Sequence, residues 1–124
     1  MMSTPEFQHI CLSMLKDDIV LVEILTRDLQ GPALAQELGA EFNQVIHQSW
    51  ANRLLVNFQR VRLLSSTGFA ILFNLVRQVN QAKQQVKFCT MAPELRLGAE
   101  VVGLDKVTEI HETQEAAIKA FSQM

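Results

Sequence analysis

Apolar positions change period along this chain, from alternation to helical spacing and back, and the changes mark out its elements. Residues Gln8 to Leu15 alternate, with Ile10, Leu12 and Met14 on one side and Cys11, Ser13 and Leu15 on the other, which predicts a strand. Lys16-Asp17-Asp18 is a short polar turn. Beyond it, Ile19-Val20-Leu21-Val22-Glu23-Ile24-Leu25 is the β-branched and leucine run expected of a more buried strand. So short a link forces the two strands into an antiparallel hairpin. Thr26 to Pro32 reads as a loop punctuated by Gly31-Pro32, with Pro32 suited to the first turn of a helix. In that helix Leu34, Leu38, Phe42, Val45 and Ile46 recur at helical spacing, while Gln36, Glu37, Glu41, Asn43 and Gln44 point away from the stripe.

The second half repeats the alternation of strand and helix. Arg53 to Phe58 predicts a third strand, with a break at Gln59-Arg60 before the apolar stretch Val61 to Leu64. Ser65-Ser66-Thr67-Gly68 then opens the longest helix, whose stripe is Phe69, Leu72, Phe73, Val76 and Val79, widened by Ile71 and Leu75. Val86 to Met91 is a fourth strand, and Pro93 with Glu94 fits the first turn of a third helix. Gly103 closes that helix, and Leu104 supplies the apolar contact that accompanies such a stop. Val107 to Ile110 reads as a short last strand. Thr113 is placed to cap a final helix whose buried side is Ala117, Ile118 and Phe121.

Strands separated by helices pair in parallel through crossovers, so the expected class is α/β: a mixed, mostly parallel sheet of about five strands, with an N-terminal antiparallel hairpin and four helices. At 124 residues the chain can bury one core, and residues 1–124 are expected to form a single domain with 1–6 as a loose start. A composition of 48% apolar and 19% charged residues argues against disorder. Formal net charge is −2 with the basic residues scattered singly, so no stripe is available to track nucleic acid. No apolar run is long enough for a membrane span, and the N-terminus lacks the layout of a signal peptide, which points to the cytoplasm. Cys11 and Cys89 lack metal-ligand spacing and are expected to be buried free thiols.

The candidate chemistry lies at Ser65-Ser66-Thr67. A side-chain oxygen there can cap the helix, and an anion at that end is favoured by roughly 0.3–1 kcal/mol through the dipole and the unpartnered N–H groups. Enzymatic readings fail on spacing. A dinucleotide fingerprint needs two more glycines than Gly68, a P-loop needs a lysine, and a nucleophile elbow needs glycine where Leu64 stands. Of His9, His47 and His111, the first and last sit at or near strand ends with no accompanying acidic motif, and His47 reads as a surface residue at a helix end. A binding or switching module, with no cofactor, no metal and no catalytic residue, is the expectation.

Leu64-Ser65-Ser66-Thr67-Gly68-Phe69-Ala70 followed by a long helix, then Val86-Lys87-Phe88-Cys89, Pro93-Glu94-Leu95, Val102-Gly103-Leu104-Asp105-Lys106-Val107 and Glu115-Ala116-Ala117, resembles the STAS domain. That is the fold of bacterial anti-sigma factor antagonists, also found in sulphate transporters. The resemblance spans about Phe7 to Phe121. It implies that Ser66 is phosphorylated, with Thr67 as the alternative acceptor, and that Ser65, Ser66, Thr67 and Gly68 meet the partner. The implied partner is an anti-sigma factor that is also a serine kinase of the histidine-kinase-like ATPase type, with a phosphatase as a further partner. Binding would then release a sigma factor and regulate transcription. The family usually carries aspartate where Ser65 stands, and Thr26-Arg27-Asp28-Leu29 departs from the family's Gly-Glu/Asp-type loop. Two alternatives are a STAS scaffold that is not phosphorylated, and a small anion- or nucleotide-binding domain using the Ser66 helix start.

Overall fold

The structure is a computed structural model and describes residues 7–123, so the expected loose start at 1–6 lies outside the described residues. In chain order the elements are β1 (Ile10–Met14), β2 (Ile19–Ile24), β3 (Asp28–Leu29), α1 (Pro32–Ile46), β4 (Arg53–Asn57), β5 (Leu63–Leu64), α2 (Ser66–Gln81), β6 (Gln85–Cys89), α3 (Pro93–Val102), β7 (Glu109–His111) and α4 (Gln114–Ser122). The main sheet runs β1-β2-β4-β6-β7. Only the β1–β2 pair is antiparallel, with Ile10 opposite Ile24 and Met14 opposite Val20; the other three pairs are parallel. The hairpin closes through a 3₁₀ turn at Lys16–Asp18 in which Asp17 and Asp18 take φ of +61° and +60°. Aspartate tolerates that left-handed region better than bulkier residues do, and two successive positive φ values suit a tight hairpin.

The pleat sends alternate residues to two unequal cores. Val20, Val22 and Ile24 of β2, Leu54 and Val56 of β4 and Phe88 of β6 meet Leu38, Phe42 and Val45 of α1, Leu72, Leu75, Val76 and Val79 of α2, and Leu95 and Ala99 of α3. Ile19, Leu55 and Cys89 face the other way, onto Ala117 and Phe121 of α4. Both faces of the central strands are therefore covered, which is why β2 and β4 read as near-continuous apolar runs. On the α4 face Lys87 is only 4% exposed; its ammonium donates to Glu109 Oε2 at 2.7 Å and lies 5.0 Å from the centre of the Phe121 ring.

Several local expectations are corrected. Cys11 is exposed, because it lies on the outer edge strand, whereas Cys89 is buried and burial pushes its thiol pKa up. Glu41, off the apolar stripe as its spacing predicts, is nevertheless only 9% exposed, since its carboxylate accepts the backbone N–H groups of Gln8 and His9, each at 3.0 Å. The last strand begins at Glu109. A 3₁₀ turn over Leu104–Lys106 precedes it and leaves Val107 49% exposed. The loop at 26–32 contains β3, and the stretch ending at Leu64 joins β3 as β5 in a separate two-stranded parallel sheet.

Other expectations hold. Gly103 takes φ +82° at the end of α3 with Leu104 fully buried beyond it, and Thr113 Oγ1 accepts the Ala116 N–H at 3.1 Å.

Candidate functional site

The small β3–β5 sheet builds the corner that carries the three hydroxyls. The Arg27 carbonyl accepts N–H bonds from Arg62 at 2.8 Å and Leu63 at 3.3 Å, and the Leu29 carbonyl accepts from Ser65 N–H at 3.1 Å. Leu29 is fully buried. The segment after β2 is thereby fastened beneath the start of α2.

Ser65 is the residue that caps. Its backbone is extended (φ −80°, ψ 175°), its Oγ accepts the Gly68 N–H at 3.3 Å, and the same hydroxyl donates to the Leu29 carbonyl at 3.1 Å. One hydroxyl thus satisfies a helix-end donor and ties helix to strand. Gly68 is buried against the same carbonyl: a Cβ built there would lie 2.6 Å from Leu29 O and 2.7 Å from Leu64 Cδ1. Only glycine fits so close an approach.

Ser66 is the first residue of α2 and is exposed, and among the described residues its hydroxyl has no hydrogen-bond partner. Thr67 is half-buried. Neither hydroxyl is engaged in capping, and the N–H groups of these two residues belong to the helix end that lacks intrahelical acceptors. Negative charge placed at Ser66 therefore meets the positive end of the dipole of a 16-residue helix. From Ser66 the same face of α2 passes through Ala70, Phe73 and Arg77 at spacings of four, three and four. The last three of these line a groove of about 750 Å³ with Asn74, Asn80 and Val107. On neighbouring α3, Leu97 (61% exposed) and Val101 (79% exposed) add apolar surface.

The structure does not bring the three histidines to this corner. His9 meets Thr26 Oγ1 at 2.5 Å and Glu37 Oε1 at 2.9 Å, His47 meets the Asn43 carbonyl at 2.7 Å, and His111 meets Glu109 Oε1 at 2.9 Å. None of the three imidazoles is therefore placed to activate Ser66. Among the described residues no group of three His, Cys, Asp or Glu side chains is placed to hold a metal ion, and no helix is long and apolar enough to cross a membrane.

Sequence reasoning placed the hydroxyls and Gly68 at the helix start but did not single out Leu29, whose carbonyl is the anchor of the corner. The available signal was slight: Leu29 is the one buried residue between Thr26 and Gly31.

Known proteins share this fold. A family model described as the STAS domain matches residues 20–117. The Bordetella bronchiseptica protein BtrV, described as a candidate anti-sigma factor antagonist, is 26% identical over 110 residues, which is 89% of this chain and 93% of BtrV. Among solved structures, a candidate anti-sigma factor antagonist of Thermotoga maritima superposes with a TM-score of 0.78 at 12% identity, covering 90% of this chain and 92% of that one. The Bacillus cell fate determinant SpoIIAA, solved in its phosphorylated form, superposes with a TM-score of 0.66 at 18% identity over 90% of this chain and 98% of its own.

Proposed function

The chain belongs to the STAS domain family, and on that premise we propose that it is an anti-sigma factor antagonist whose binding is switched by phosphorylation of Ser66. In this reading residues 1–124 form one STAS domain that works in the cytoplasm without a catalytic step of its own. Its partner is an anti-sigma factor that is also a serine kinase of the histidine-kinase-like ATPase type. Unmodified, the chain occupies that partner and frees a sigma factor; the kinase ends the interaction by phosphorylating Ser66, and a phosphatase restores it.

The observation that carries this reading is the division of labour at the corner. Ser65 and Gly68 do the structural work, while the Ser66 hydroxyl is exposed and unengaged at a helix end that tolerates negative charge. A phosphate adds about −1.5 to −2 charges and three acceptor oxygens at neutral pH. Within the chain, the dipole of α2 offsets part of that charge and the fold persists. Across a packed interface the same charge must lose its water, at a cost of several kcal/mol, and each 1.4 kcal/mol is about tenfold in affinity. The apolar groove along α2, on the face that Ser66 begins, is the surface the partner would cover. Thr67, half-buried beside it, is the alternative acceptor.

Binding of Ser66→Asp and Ser66→Ala to the anti-sigma partner tests this reading. Ser66→Asp is expected to lose tenfold or more in affinity and Ser66→Ala to bind as the unaltered chain does. Equal binding by all three would overturn the switch. Ser65 in place of the family's aspartate favours one second reading, a STAS scaffold that binds constitutively and is never phosphorylated, for which equal binding is the expected result.

A further inference from the structure

The C-terminal ends of β2 and β4, beside the small β3–β5 sheet, leave an open cavity of about 540 Å³ lined by Glu23, Leu25, Arg27, Gln59, Arg60 and Arg62. Its three arginines come from two separate segments, the one after β2 and the one between β4 and β5. The 2.8 Å bond from Arg62 N–H to the Arg27 carbonyl holds those segments side by side. Their charges are loosely met. Arg60 Nε stands 3.7 Å from Glu23 Oε2, and Arg27 Nε stands 4.0 Å from Asp28 Oδ1. Arg62 Nη1 donates to the Gln59 carbonyl at 3.2 Å, and among the described residues no carboxylate lies within 4.0 Å of Arg62. Three positive groups and one negative group line this cavity, in a chain whose formal net charge is −2.

We propose that this cavity binds a phosphate-type oxyanion carrying at least two negative charges, held by Arg27, Arg60 and Arg62. Guanidinium groups present planar forks of N–H donors that match phosphate oxygens in pairs. Forks supplied by two segments that line one cavity suit a group with three or four acceptor oxygens better than a carboxylate with two. The position agrees with the place where open α/β sheets receive ligands, outside the carboxyl ends of parallel strands. None of Ser65, Ser66, Thr67 and Gly68 lines this cavity.

The chemistry is common to a free phosphorylated molecule and to a phosphate borne on another polypeptide, so the test has two arms. Backbone amide spectra of the full ¹⁵N-labelled chain would be followed by NMR with inorganic pyrophosphate, and separately with a phosphoserine peptide of unrelated sequence, each against sodium chloride at matched ionic strength. Saturable shifts at Arg27, Gln59, Arg60 and Arg62 that chloride does not reproduce are expected, weakened at least tenfold in Arg27→Gln/Arg62→Gln and unchanged in Arg77→Gln on α2. A response to pyrophosphate alone identifies a free ligand; a response to the peptide identifies a chain-borne one. No saturable response in either arm, a response that survives the double substitution, or shifts confined to Ser66, Thr67 and Gly68 would overturn the proposal.

Discussion

Gly68 Cα stands directly against the Leu29 carbonyl, so close that a methyl group on Gly68 would lie 2.6 Å from that oxygen. The obstacle is backbone, held by the β3–β5 pairing and by both the N–H and the hydroxyl of Ser65. Alanine usually stabilises a helix relative to glycine by about 0.8–1 kcal/mol. At Gly68 the sign is expected to reverse, with Gly68→Ala losing about 1–3 kcal/mol through overpacking. Gly39, inside α1 with nothing within 4 Å of its would-be Cβ, provides the control, and Gly39→Ala is expected to gain about 0.5–1 kcal/mol. Urea denaturation of the two variants checks both signs.

Ser65 makes two bonds with one hydroxyl, and substitutions separate them. Ser65→Ala loses both and is expected to cost about 1 kcal/mol, the usual scale for an N-cap. Ser65→Thr keeps donor and acceptor and should restore most of that. Ser65→Asp, the residue usual in the family, still accepts from the Gly68 N–H but cannot donate to the Leu29 carbonyl. Hydrogen exchange should then show the Gly68 amide still protected while the Leu63 and Ser65 amides, which bond across to the Arg27 and Leu29 carbonyls, exchange faster.

On the opposite face, Glu109 is held below its ordinary carboxylate range, first by the hydrogen bond from Lys87, which outweighs the opposing effect of burial, with a smaller contribution from His111. A depressed folded-state pKa stabilises the fold above the unfolded value, near 4.3, and that contribution disappears as pH falls through the folded value. Acid protonation also leaves the Lys87 ammonium buried without its carboxylate. Glu109 itself is 57% exposed, so screening limits the pair's contribution to about 1 kcal/mol or less. Thermal unfolding from pH 7 to pH 3 should therefore fall less steeply in Glu109→Gln than in the unaltered chain. Lys87→Met, which fills the same space without a charge, should be neutral or stabilising at pH 7.

The five-stranded sheet, its hairpin and the four helices were legible because each rests on a strong local signal. Alternation marks β1, apolar runs mark β2 and β4, and caps or prolines mark where α1, α2, α3 and α4 begin. The hydroxyl corner was legible for the same reason. What the sequence does not display is pairing between segments too short to carry a pattern of their own. Two-residue strands such as β3 and β5 have no period to detect, so the Leu29 carbonyl could not be foreseen as the anchor of Ser65 and Gly68. The burial of Glu41 is hidden for a related reason: helical spacing locates it off the apolar stripe, but the chain before β1 lies against α1 and donates two N–H groups to it. Cys11 differs from the expected core thiol because alternation does not reveal how far the helix on its face reaches: α4 packs on β4, β6 and β7 and leaves that side of β1 open.

The most direct test of the proposed switch is phosphopeptide mapping of the chain isolated from its own cells, before and after phosphatase treatment. Expected is a phosphatase-sensitive phosphate on Ser66 in part of the population, with the Ser65 hydroxyl unmodified because it is engaged between Gly68 and Leu29. A chain that carries no phosphate at Ser66 or Thr67 under any growth condition, while still binding its anti-sigma partner, would contradict the switch.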